Sequence, residues 1–219
     1  MLGVLFALGA LFCWAFGDFF IQRTSRVIGI WKALFFITAS GAIGLFPFVQ
    51  NDLGLLFSVS NGLLFLGITS IVVLFTALFD FEALKEGKFA VIEPILGIEL
   101  PITIGLSIFL RNEHPTTVQA ALMFAVFIGI LLAVTVHYTR LFYHRRLIEK
   151  GALLAGLGAI GMGLTNFLFG VGSQDLSPLL TVWFVHLVLT LIILLYLIGS
   201  GEITTLFRDL KKHPRLIAA

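Results

Sequence analysis

The sequence is poor in charge: 12% of its 219 residues are Asp, Glu, Lys or Arg, about half the roughly 25% usual in soluble domains. It holds one cysteine, Cys13, which excludes an intrachain disulfide and any multi-cysteine metal site. Inside an apolar run such a thiol packs as a small hydrophobe. Residues 1–21 contain no Lys or Arg. The basic leader of a signal peptide is therefore missing, and this apolar run is long enough to be a retained first helix. HExxH, GxSxG and GxxxxGK[ST] motifs are all absent, which argues against a zinc protease, a serine hydrolase and a P-loop enzyme. Ser173 sits in VGSQD without the flanking glycines of a nucleophile elbow. The 5 histidines are scattered and mostly in loops, a poor pattern for a metal cluster. A net charge of +2, with no basic patch interleaved with aromatics, does not fit a nucleic-acid partner. The seventh apolar run has no lysine, so it offers no retinal Schiff base. Neither an enzyme nor a cofactor is expected.

What the chain does have is apolar length. Hydrophobic residues make up 59% of it, with 23 Phe, and they fall in long runs separated by short polar stretches. About twenty apolar residues cross the hydrocarbon core as a helix, and unbroken runs of that length do not fit barrel strands. The runs place helices near 2–21, 30–49, 63–81, 89–110, 117–136, 151–172 and 179–198. The fold class is an all-α, polytopic membrane protein with about seven spans. Pro94 and Pro101 interrupt the fourth, each removing a backbone donor.

Direction follows from the basic residues. Of the 14 Lys and Arg, all but Arg111 lie in 22–32, 82–88, 137–150 and the tail after 198. Basic loops stay on the cytoplasmic side. The N-terminus is expected outside, and the basic loops and C-terminal tail inside, in the plasma or inner membrane.

A weak internal repeat accompanies this pattern. In the register that lays Gly3–Ala7 on Gly151–Ala155, Asp18 falls on Asn166, Ser25 on Ser173 and Phe36 on Phe184. Five helices separate the two starts, so the copies run in opposite directions through the membrane. Inverted repeats are a signature of secondary transporters. Residues 1–137 form the first repeat, 138–150 a basic cytoplasmic linker and 151–219 a partial second repeat. The third helix of that second repeat would begin near 211. HPRLIAA, at the end of the sequence, reads as a basic anchor followed by the start of another apolar helix. The chain is expected to be the first part of a longer protein.

FEALKEGKFAVIEP, GIELPITIGLSIFL, RNEHPTTVQ and AVFIGILLAV resemble the third-to-fifth-helix region of the drug/metabolite transporter superfamily, in particular its EamA-domain family. ALGALFCWAFGDFFIQR resembles the small-residue and tryptophan pattern of the family's first helix. Two departures stand out. Leu100 separates Glu99 from Pro101, and Asn112 replaces the usual glycine before Glu113. The resemblance implies a ten-helix fold of two inverted five-helix repeats that moves small metabolites.

An ionisable side chain inside a span is costly and therefore a functional candidate. Glu99 lies near the middle of the fourth span, beside Pro101, where interrupted backbone could line a cavity. It is either a protonatable substrate ligand or a neutral carboxyl bonded to a neighbouring helix. Glu93 is six residues earlier, on another face of a continuous helix, and is expected nearer the inner surface in a solvated position. Trp14 and Asp18 share a face of the first span. They suit stacking on a substrate and binding a cation or proton, unless Asp18 only meets Arg23 and Arg26 at the interface. Asn166 is the repeat partner of Asp18. Trp183 and His186 share a face of the seventh span, for titration or for plain interhelical bonding. Asp80 and Glu82 are expected to be solvated or paired with Lys85 and Lys88. Gly156, Gly158, Gly161 and Gly163 read as helix packing.

The expected function is secondary transport of a small organic solute by alternating access, any coupling ion being a proton on Glu99 or Asp18. The alternatives are a membrane scaffold or assembly subunit and, further off, an integral-membrane enzyme. The bilayer and the solute are the expected partners, with a second copy or further helices to complete the second repeat.

Overall fold

The computed structural model describes residues 2–58, 61–113, 115–141 and 147–212. Residues 142–146 of the basic linker and the HPRLIAA segment lie outside the described residues. Among the described residues every regular element is a helix: α1 (Leu2–Ile28), α2 (Ile30–Val49), α3 (Leu55–Ser58), α4 (Gly62–Glu86), α5 (Phe89–Leu96), α6 (Glu99–Arg111), α7 (Thr117–Leu141), α8 (Leu147–Asp175), α9 (Pro178–Gly199) and α10 (Ile203–Lys212). Each expected span falls on one of them, the fourth on α5 and α6 together. Among the described residues, five segments are long and apolar enough to cross a bilayer: Ile30–Val49, Gly62–Glu86, Phe89–Arg111, Gly151–Asp175 and Pro178–Gly199. Large apolar side chains such as Phe6, Phe48, Phe109 and Leu195 point outward, as lipid-facing positions do. The chain is an all-α polytopic membrane protein.

Local chemistry explains the joints. Gly29 separates α1 from α2 at φ 89°, a conformation only glycine adopts without strain. Ser177 accepts from the Leu180 amide at 3.4 Å and Pro178 follows at the first helical position, a standard start for α9. In the RNEHPTTVQ turn, Gln119 Oε1 accepts from the Thr116 amide at 2.8 Å, while Thr116 Oγ accepts from the Gln119 amide at 3.3 Å. This reciprocal capping box opens α7.

The fourth span breaks where neither proline sits. Pro94 lies inside α5, Pro101 lies in the first turn of α6, and the helix is interrupted at Gly97–Ile98. Amides in the first turn of a helix have no intrahelical acceptor, so Pro101 costs little there. Bonds of the tighter i→i−3 kind carry the chain across, from the Ile98 amide to Ile95 O (3.1 Å) and from the Leu100 amide to Gly97 O (3.3 Å).

α8 is the central helix, packing on α4, α5, α6 and α9, and α2 packs along α9. One apolar cluster joins α2, α4, α9 and α10 through Leu34, Phe81, Leu189, Ile193 and Leu206. Another joins α4, α5 and α8 through Leu84, Ile92 and Ala155. Glycines set the closeness of α8. A Cβ at Gly161 would stand 3.1 Å from Thr76 Cβ, and one at Gly163 would stand 2.7 Å from Ile102 Cβ. At the basic end, Arg26 donates to the carbonyls of Lys85 (2.9 Å) and Gly87 (2.6 Å), and Gln22 donates to that of Leu84 (2.8 Å). These side chains of α1 satisfy carbonyls that the end of α4 leaves unpaired.

Candidate functional site

Four carboxyl groups come together inside the bundle, each from a different helix: Asp18 of α1, Asp80 of α4, Glu93 of α5 and Glu99 of α6. They are close enough to interact through space. Asn166 of α8 stands close enough to the Glu99 carboxyl to act on it. The break at Gly97–Ile98 makes this possible. On one continuous helix Glu93 and Glu99 would face apart. As parts of two helices joined by a tightened turn, they act on one another and on Asp18.

Asp80 is the centre of the arrangement and the residue that sequence reasoning missed. It was expected in water or paired with a lysine, but it is only 5% exposed. Both of its carboxylate oxygens are buried without a hydrogen-bond partner. The reason is the length of α4, which continues as regular helix to Glu86 and carries Asp80 on its inward face. That face holds Thr69, Ser70, Thr76 and Asp80, all buried. A polar stripe at helical spacing on a membrane span was the available signal. Across the interface stands Gly158 of α8, where a Cβ would collide with the Asp80 carboxylate. Glu82, by contrast, pairs with Lys85 at 3.7 Å as expected.

Glu93 also departs from the solvated position. It is half-buried and its Oε1 has no partner. Among the described residues no basic side chain forms an ion pair with any of the four carboxyls; the ion pairs present are Lys32–Asp209 and Lys85–Glu82. Hydroxyls of the same helices are engaged elsewhere: Thr103 Oγ lies 2.9 Å from Glu99 O and 3.1 Å from Gly163 O, and Thr165 Oγ lies 3.5 Å from Thr76 Oγ.

The remaining candidates lie elsewhere. Trp14 is 59% exposed on the outer surface of α1, away from the inward groups. Trp183 is buried and donates its indole N–H to Ala42 O at 2.9 Å. His186 bonds Val182 O through Nδ1 at 2.9 Å, and its ring covers Gly41 of α2. Both therefore hold α9 against α2. Of the four glycines expected to pack, Gly158, Gly161 and Gly163 of α8 are close-approach positions, whereas a Cβ at Gly156 would meet nothing within 4 Å.

No curated protein and no solved structure matches the chain. A family model does match, over residues 1–135, the stretch that supplies all four carboxyls. On that match the chain belongs to the EamA-like transporter family, membrane transporters of the drug/metabolite type.

Proposed function

We propose that the chain is a secondary transporter of a small organic metabolite in the plasma or inner membrane, working by alternating access of two inverted repeats, 1–137 and 151–219. The observation that carries this reading is the carboxyl cluster at the broken fourth span. Transporter sites form near mid-membrane, at discontinuous helices and at the contact between repeats. Here Asp18, Asp80, Glu93 and Glu99 come from the first repeat, and Asn166 comes from the start of the second. The groups at the site are carboxyls and an amide, which accept hydrogen bonds and, in the carboxyls, carry protons.

The cycle follows from cost. Unpaired carboxylates inside a membrane protein are expensive, so an empty site favours the uptake of protons. Arrival of solute releases them, and the helices around α8 rearrange with one or the other bound. Glu99 and Asp18 are the assigned proton carriers. The distribution of Lys and Arg supports an N-terminus outside and a cytoplasmic 138–150 linker.

Flux into proteoliposomes tests this. A pH gradient imposed in either direction should drive net solute movement, and Glu99→Gln should abolish it while insertion and elution profile stay normal. Flux that ignores the gradient removes proton coupling. Full transport by Glu99→Gln removes Glu99 from the site.

A further inference from the structure

The site described above is unusual in its charge. It assembles four acidic groups, and among the described residues it gives them no cationic partner. Asp80 makes the strongest demand: it is 5% exposed, and neither carboxylate oxygen is bonded. Buried polar groups of this kind are normally satisfied, and each one left unsatisfied calls for an explanation. Asp80 also faces its own kind, interacting with Glu99, Asp18 and Glu93. Across the interface it faces Gly158, which contributes no side chain. The hydroxyls of Thr76 and Thr103 are already within reach of backbone carbonyls at 2.9 Å. Among the described residues no basic side chain pairs with these carboxyls.

A metal ion does not fit. Among the described residues no three His, Cys, Asp or Glu side chains are arranged to hold one. The carboxyls interact through space but do not converge on one point, as the short bonds of an oxygen-ligated cation require. An ammonium group is a donor without acceptor capacity, complementary to such a lining. Carboxyls distributed over four helices are best matched by positive charge distributed along a chain.

We infer that the site binds an organic polycation, with one ammonium group on Asp80 and another on Glu99 beside Asn166, a diamine being the simplest case. This inference rests on the transport reading for its setting, but binding and flux separate the two. Asp18 and Glu93 supply the remaining negative charge around the same volume. Selectivity against monoamines then comes from the second carboxyl, which a single ammonium leaves unpaired.

The test is equilibrium binding of radiolabelled 1,4-diaminobutane to the full chain in nanodiscs. Saturable binding is expected, weakened about tenfold or more by Asp80→Asn and by Glu99→Gln. Butylamine should compete about tenfold less well, and 1,4-butanediol should not compete. Varying the diamine length should show an optimum set by the distance between the two carboxyls. Size-exclusion profiles check that the variants fold. Should Asp80→Asn fail that check, Glu99→Gln and Asp18→Asn carry the test. Absence of saturable binding, binding untouched by the carboxamide variants, equal competition by butylamine, or displacement by Mn²⁺ at lower concentration would each overturn the assignment. Diamine binding with these dependences but without flux supports the site and removes the transport reading. Flux of another solute without diamine binding does the opposite.

Discussion

The close seam between α6 and α8 gives a quantitative test of how the site is held. Gly163→Ala adds a methyl carbon 2.6 Å from Ile102 Cγ2, 2.7 Å from Ile102 Cβ and 3.0 Å from the Glu99 carbonyl oxygen. Carbon atoms in contact prefer about 3.5–4.0 Å. A flexible side-chain tip could swing aside, but Ile102 Cβ and a backbone oxygen move only with their helix. α6 must therefore retreat by about 0.8 Å. The bond from Thr103 Oγ to Gly163 O, 3.1 Å long, breaks with it. Overpacking costs about 1–3 kcal/mol and the lost bond about 0.5–1.5 kcal/mol. Alanine returns about 0.8–1.0 kcal/mol in helix propensity. The net loss is about 0.5–3.5 kcal/mol. Gly156→Ala is the control: its new carbon meets nothing within 4 Å, so it should be neutral or gain up to about 1 kcal/mol. Unfolding midpoints in one detergent give the comparison, and flux gives a second readout, because the retreat of α6 carries Glu99 away from Asn166. Equal stability and equal flux in the two variants would refute the glycine-seam argument.

Two further outcomes follow. Arg26→Ala should cost about 1 kcal/mol, discounted because Arg26 is exposed, since it removes a donor from the Lys85 and Gly87 carbonyls at the end of α4. Arg26→Lys should recover only part, because a compact ammonium lacks the planar, pre-organised donor fork with which the guanidinium spans the two carbonyls; thermal midpoints of the three proteins decide. For topology, single cysteines at Asn112 and Lys88, both exposed, are placed in a Cys13→Ala background. An impermeant maleimide should label the first in intact cells and the second only after lysis. The reverse pattern overturns the orientation read from the basic loops.

The spans were legible because hydropathy is additive along a helix: a run of twenty apolar residues announces itself whatever it packs against. The capping box at Thr116–Gln119 and the Ser177–Pro178 start are local in the same way, each contained in a few consecutive residues. Pro94 and Pro101 marked the fourth span as interrupted, yet the interruption falls at Gly97–Ile98. A proline removes the amide hydrogen bond to the carbonyl four residues before it. Pro101 therefore leaves Gly97 O without its helical donor, and the break falls at that glycine rather than at either proline. Glu99 thus begins a helix, which a sequence window centred on either proline does not reveal.

Asp80 shows the other limit. Its sequence neighbours, Glu82, Lys85 and Lys88, are those of a helix leaving the membrane, and for Glu82 that inference holds. For Asp80 the decisive neighbour is Gly158, far along the chain, whose missing side chain leaves the space its carboxylate occupies. The same holds for Trp14 and Asp18. Sharing a helical face by spacing put them together, but the residues packed around α1 separate the exposed indole from the inward carboxyl. Local sequence determines which helix a group rides on. Whether two such groups meet is decided by the glycines and prolines of other helices. A site built from one acidic residue on each of four helices is for that reason the part of a membrane transporter that its spans conceal best.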